Sequence, residues 1–254
     1  MNTNSPFISI ILMCMLLLLV NCGDAIEDPD APGAPLWVAQ SEPTDSRPRG
    51  IRPYNEGNGI ILEWHPNPEE DLSGYKLYRA AYTEWDLPEG NFSLIADINA
   101  FSLSGADTSY IDDLVQFNTD YYYYLRAYDQ AGNKSVSSDT VWFSLIPKTD
   151  PLTPTGQISA PPLNFEWYDF TNSASDYILF LETVAPRNYI WISRFRRPNY
   201  SDFFQSIQFN FDGNAEALIS GQSYRWCIKA IVFTDYAGNI IRGSISNWAY
   251  FSLE

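Results

Sequence analysis

The chain has 254 residues, 45% hydrophobic and 16% aromatic, with 31 acidic against 15 basic side chains and a formal net charge of −16. That supply of apolar residues fills the core of one large or two small domains, and the aromatic share suits half-buried pleated surfaces. The acidity excludes nucleic acid as a partner, because binding it needs Lys and Arg to neutralise phosphates.

In chain order the first feature is the run IILMCMLLLLV, residues 10–20. It falls well short of the roughly 20 apolar residues that cross a bilayer, so it reads as a secretory signal that is absent from the fold. The run ends in LVNCGD, which resembles the lipobox of bacterial lipoproteins. The resemblance implies a signal peptide over residues 1–21, cleavage before Cys22, and lipidation of Cys22. It also implies a lipid-anchored place in the bacterial cell envelope, at the outer membrane or cell surface. Residues 22–33 follow as an acidic, Pro-rich stretch without apolar periodicity, and are expected to form a solvated tether. With Cys14 in the signal and Cys22 lipidated, Cys227 stands alone and no intramolecular disulfide is expected.

Beyond the tether the sequence repeats itself. LEWHP at 62–66 is echoed by FEWYD at 165–169, and both Trp64–Tyr121 and Trp167–Tyr224 are separated by 57 positions. Each Tyr opens an alternating segment, YYYYLRAYD and YRWCIKAIVF. A shared turn follows, DQAGN or DYAGN, and each half closes on FSL. Two related domains are expected, at residues 34–147 and 148–254, joined through the Pro-rich IPKTDPLTPTG at 146–156.

Within each half the apolar period is two. Ile60, Leu62 and Trp64 share one face, as do Tyr75 and Leu77. Short antiparallel strands broken by Gly, Asn, Asp and Pro turns are predicted, with no helix of useful length. Roughly seven strands in about 110 residues is the profile of an immunoglobulin-like β-sandwich. The fold class is therefore all-β, with two tandem β-sandwiches.

The first half resembles a fibronectin type III domain along nearly its whole length. APGAP precedes the first strand, Trp64 ends the second, EEDLSGYKLYR enters the third, and NTDYYYYLRAYDQAGNKS forms the sixth with its turn. The resemblance implies that Tyr121 and Tyr224 lock their corners through their hydroxyl groups. The second half is a more distant relative, longer over residues 185–210.

Candidate chemistry is sparse. The acidic run Glu69, Glu70, Asp71 lacks the alternating ligands and closing Glu of an EF-hand-like loop. It reads as a corner in which Pro66 and Pro68 end the preceding strand. The one His, His65, sits beside prolines with no Ser or Cys partner in its neighbourhood of the sequence, and no nucleophile or phosphate-loop motif occurs. No catalytic residue, metal or cofactor is expected. Alternation puts Cys227 opposite Trp226, on the outer face of its strand and half covered.

The aromatic residues are more suggestive. Tyr122, Tyr124 and Tyr128 should point outward. In the second half, residues 189–204, which also hold Phe203 and Phe204, are expected to carry the contact: Tyr189, Trp191, Arg194, Phe195, Arg196, Arg197 and Tyr200 mix rings with guanidinium groups as interfaces and sugar-stacking surfaces do. These seven are the expected partner-binding residues, although cross-strand stacking, edge-strand covering or inter-domain packing would use the same residue types. The expected function is a non-catalytic, membrane-anchored module that binds a protein or glycan, with the first domain as spacer and the second as reader. Two alternatives remain: an envelope scaffold without soluble ligand, and a carbohydrate-directed accessory module of an extracellular enzyme system.

Overall fold

The computed structural model describes residues 29–42, 44–82, 91–102, 105–106 and 108–254. The expected signal segment, Cys22 and the first part of the expected tether lie outside them. Among the described residues all regular structure is β, and no helix is long and apolar enough to cross a membrane.

The first half contains β1 (Leu36–Trp37), β2 (Arg52–Pro53), β3 (Ile60–His65), β4 (Leu72–Tyr82), β5 (Ser93–Asn99), β6 (Phe101–Ser102), β7 (Gly105–Ala106), β8 (Ser109–Asp112), β9 (Asp120–Asp129) and β10 (Val141–Leu145). β3 pairs with β1, β2 and β8, while β5, β4, β9 and β10 run side by side in a second sheet. Their inward rows meet in one core that includes Ile60, Leu62, Trp64, Tyr75, Leu77, Tyr123 and Phe143. Alternation is complete in β9, where residues from Tyr121 to Asp129 are in turn buried and half-buried.

The second half contains β11 (Asp150–Thr153), β12 (Gly156–Ile158), β13 (Asn164–Tyr168), β14 (Asp176–Thr183), β15 (Tyr189–Arg196), β16 (Phe204–Gln208), β17 (Ser223–Thr234), β18 (Ile240–Ile245) and β19 (Ala249–Leu253). β11, β13 and β16 form one sheet, packed over a second core built on Phe165, Trp167, Tyr177, Leu179 and Trp226. The repeat in the sequence is a repeat in structure. Trp64 stands edge-on to Tyr75 at 5.4 Å, and Trp167 edge-on to Tyr177 at 5.1 Å. The Tyr121 hydroxyl accepts the Gln116 N–H at 3.0 Å and the Tyr224 hydroxyl accepts the Ile219 N–H at 2.7 Å, so both predicted corners are locked. In the DQAGN and DYAGN turns, the carboxylates of Asp129 and Asp235 accept both the backbone N–H and the side-chain amide of Asn133 and Asn239.

The acidic stretch at 69–71 is indeed a corner. Glu69 Oε1 accepts the Gly33 N–H at 2.6 Å and Asn67 donates to the Gly33 carbonyl at 2.9 Å. Burial opposes charging Glu69, yet the Gly33 N–H holds its carboxyl below the usual range. The expected tether therefore ends earlier than its composition indicates: Pro32 is buried and Gly33 is clamped. Gly74 has a steric reason as well, because a Cβ there would lie 2.4 Å from the Ile98 carbonyl.

The halves do not hang from a linker. β10 pairs in parallel with β18, Ser144 opposite Arg242 and Leu145 opposite Gly243, so one ten-stranded sheet crosses both halves. The outer face of the second half contributes Ile178, Phe180, Cys227, Ile231 and Ile240 to the first core. Gln40 completes the seam, accepting the Ile240 N–H and donating to the carbonyls of Ile51 and Ile240, each at 2.7 Å. This corrects the expectation for Cys227. It does point away from Trp226, but the face it points to is covered and the thiol is fully buried.

Tyr121→Phe and Tyr224→Phe are each expected to cost about 1 kcal/mol. Because the two residues belong to different cores, the double variant should lose the sum. Urea unfolding measures this, and a double variant as stable as wild type would deny the corners an energetic role.

Candidate functional site

The expected partner-binding residues separate into buried and exposed sets. β15 has period two, so Trp191, Ser193 and Phe195 face the core. Trp191 is 2% exposed and packs on Phe165 and Phe209, while its indole N–H donates to Asp212 at 2.9 Å. Phe195 lies against Trp167 and Tyr177. Tyr189 is half-buried at the seam, its hydroxyl donating to the Ser46 carbonyl at 2.7 Å. Arg194, Arg196 and Tyr200 remain at the surface.

Arg197 is the clearest correction. Its side chain is fully buried and cannot touch a partner; it organises the loop that follows. Nη1 pairs with Asp169 at 2.9 Å, Nε donates to the Asn199 carbonyl and Nη2 to the Asp202 carbonyl. Buried Gln205 repeats the grip, donating to the same two carbonyls while its own carbonyl accepts the Asn199 N–H. Asp169 also accepts the Tyr177 hydroxyl at 2.6 Å, and burial together with that carboxylate pushes the Tyr177 phenol well up. Each charge in this cluster has a partner, as buried charges require.

What this polar base holds up is an aromatic surface. Residues 198–203 are pinned from beneath, leaving Tyr200 and Phe203 outside at 62% and 49% exposure, with Phe170, 61% exposed, beside Phe203. Tyr168 stacks on Phe170 at 5.3 Å, Phe204 meets Tyr168 edge-on, and Phe170 lies 6.5 Å from Phe203 at a 36° tilt. Phe203 belongs to the 189–204 segment expected to carry the contact, whereas Phe170 was not among the expected residues. They follow or precede strands by a residue or two, where alternation assigns no face.

The outward tyrosines of the first half are largely occupied with one another. Tyr78 stacks on its cross-strand neighbour Tyr124 at 4.7 Å and Tyr122 on Trp142 at 5.9 Å, which stabilises the sheet and leaves the rings half-covered. His65 ends β3 on the exposed side. Among the described residues, no three or more His, Cys, Asp or Glu side chains gather as a metal site would need.

No family model matches the chain, and no curated protein matches it. Among solved structures it is similar to the Clostridium perfringens spore cortex lytic enzyme SleM, at 18% identity and TM-score 0.29, over 45% of this chain and 28% of that one. It is similar to a β-1,2-glucanase from Parabacteroides distasonis, at 22% identity and TM-score 0.32, over 47% of this chain and 14% of that one. A third neighbour is a fibronectin type III set, the FN1–FN3 domains of chicken CNTN1, at 14% identity and TM-score 0.28, over 89% and 68%. The chain spans under a third of the two enzymes, and likenesses at these scores carry no argument about activity.

Trp191→Ala is expected to cost about 3–5 kcal/mol by emptying part of the core. Arg196→Ala should stay within about 0.5 kcal/mol, as an exposed change does. Paired thermal and urea unfolding tests the division; equal losses in both variants would contradict it.

Proposed function

We propose that the chain is a tandem pair of fibronectin type III-like sandwiches, held at a bacterial cell envelope by a lipid on Cys22 and acting as a non-catalytic binding module. The first half, with its outer rings consumed in cross-strand pairs, serves as spacer. The second half is the reader. The observation that carries this reading is the exposed ring pair Phe170 and Phe203, with Tyr200 on the loop held by the Arg197–Asp169–Gln205 network. Exposed apolar groups gathered in one place mark interaction sites, and here a buried network fixes their position before any partner arrives. That arrangement lowers the ordering cost of association.

A protein partner is favoured over a sugar. Phe170 and Phe203 are tilted by 36° and so do not offer a single flat platform. Their phenyl rings also carry no hydrogen-bonding group for hydroxyls, whereas a tilted cleft of rings accepts apolar side chains. Arg194 and Arg196, on the surface of the same half, add positive charge to an otherwise acidic molecule.

A Phe170→Ser, Phe203→Ser double variant should unfold within about 1 kcal/mol of wild type while losing at least tenfold in capture of an envelope protein by site-directed crosslinking in cells. Undiminished capture would dismiss the surface. Glycan-array binding lost in the same variant would replace the protein partner with a carbohydrate. Mass analysis of the mature N-terminus checks the lipid on Cys22.

A further inference from the structure

On the outer face of β17, two residues after Cys227, is an ammonium group without a partner. Lys229 is 8% exposed and forms no hydrogen bond or ion pair with any described residue. Buried charges are ordinarily paired, and a chain with 31 acidic side chains has no shortage of carboxylates. The other cations nearby are engaged. Arg52 Nη1 is held by Glu63 at 2.8 Å and by the Gly50 carbonyl at 2.7 Å. Arg187 Nε is held by buried Glu182 at 2.9 Å. Glu56 is exposed at the rim, where it accepts the Tyr54 hydroxyl at 3.3 Å.

Lys229 lines a cavity of about 270 Å³ between the two halves, walled mainly by Ile61, Phe180, Tyr189, Ile245 and Trp248. That is close to the lower bound of small-molecule pockets, and the lining is mixed: apolar and aromatic walls, together with Arg52, Asn55, Glu56 and Arg187 besides Lys229. The charged and titratable groups acting on the ammonium are Arg52 from β2, Arg194 from β15 and Cys227 from its own strand. Burial first, then Arg52 and Arg194, push it down to about 8, with Cys227 opposing. At neutral pH the group is therefore still mostly cationic.

We infer that the cavity between the halves is a binding site for a small organic monocarboxylate, its apolar body against Ile61, Phe180, Ile245 and Trp248 and its carboxylate paired with Lys229. Of the three lining cations, Arg52 and Arg187 are each held by a glutamate, which leaves Lys229 to match one anionic group. The apolar walls disfavour a hydrated, multiply charged anion such as phosphate. This site is separate from the aromatic surface of the second half and does not depend on it.

The test is calorimetric titration of the full wild-type chain with benzoate and hexanoate, beside their neutral counterparts benzamide and hexanamide. At pH 7 the acids should bind at least tenfold more tightly than the amides. Acid affinity should fall by about tenfold from pH 7 to pH 9, as Lys229 loses its proton. Lys229→Met should melt no lower than wild type at pH 7, since it removes a buried unpaired charge, and should abolish the preference for acids. Ile245→Phe, which fills the cavity from another wall, should weaken both acids at least tenfold. Absence of acid binding to the wild type, equal affinity for acid and amide, or unchanged acid binding in Lys229→Met would each overturn the inference.

Discussion

Strands β14 and β17 are buried on both faces, and the rest of the molecule is arranged around that fact. Their inner rows, Tyr177, Leu179, Leu181, Trp226 and Ile228, close the second core. Their outer rows, Ile178, Phe180, Cys227 and Ile231, are part of the first. Fully burying one such apolar side chain is worth about 1.5–3 kcal/mol, so withdrawing the first half from the second would expose several of them together. The seam is thus core material. It fixes the orientation of the halves, shields the only free thiol among the described residues, and forms the walls of the open cavity lined by Lys229.

The carboxylates of Asp112, Asp169 and Glu182, sealed inside the protein, follow one pattern. In the first half Asp112 accepts Arg79 Nη1 through both carboxylate oxygens, and the hydroxyl of Tyr123. In the second, Asp169 takes Arg197 and Tyr177, and Glu182 takes Arg187 and Arg225. Removing one member of such a set strands the other charge, which costs far more than the pair contributes. These clusters therefore specify geometry more than they add stability. Arg197 illustrates this, because its three contacts determine where Tyr200 and Phe203 emerge. Lys229 belongs to no such cluster and lines the cavity between the halves instead.

Much of this was legible in the amino-acid order, and the failures have physical causes. The repeated Trp–Tyr spacing and the alternation in β9 predicted strands, corners and inward rows correctly. Alternation also contained the division of the second half's aromatic run. In YIWISRFR, Trp191 and Phe195 share a parity opposed to Arg194 and Arg196. Treating the run as one surface overlooked that parity. The unbroken YILFL of β14 signalled burial on both faces, as continuous apolar strands do. What it could not disclose was the covering element, which comes from a half over a hundred residues away. For the same reason the direction of Cys227 was readable and its exposure was not. Phe170 and Phe203 lie off the strand frame, where no periodic rule assigns a face.

The parallel contact of β10 with β18 has a meaning beyond rigidity. Each strand is hydrogen-bonded to one neighbour within its own half and to the other strand across the seam. Were the halves to part, both would become bare margins, two rows of unsatisfied amides and carbonyls ready to recruit strands from other molecules. Their union hides the places where this all-β chain would otherwise polymerise. Loosening the seam would thus yield not a nimble hinged protein but one inclined to stick to copies of itself.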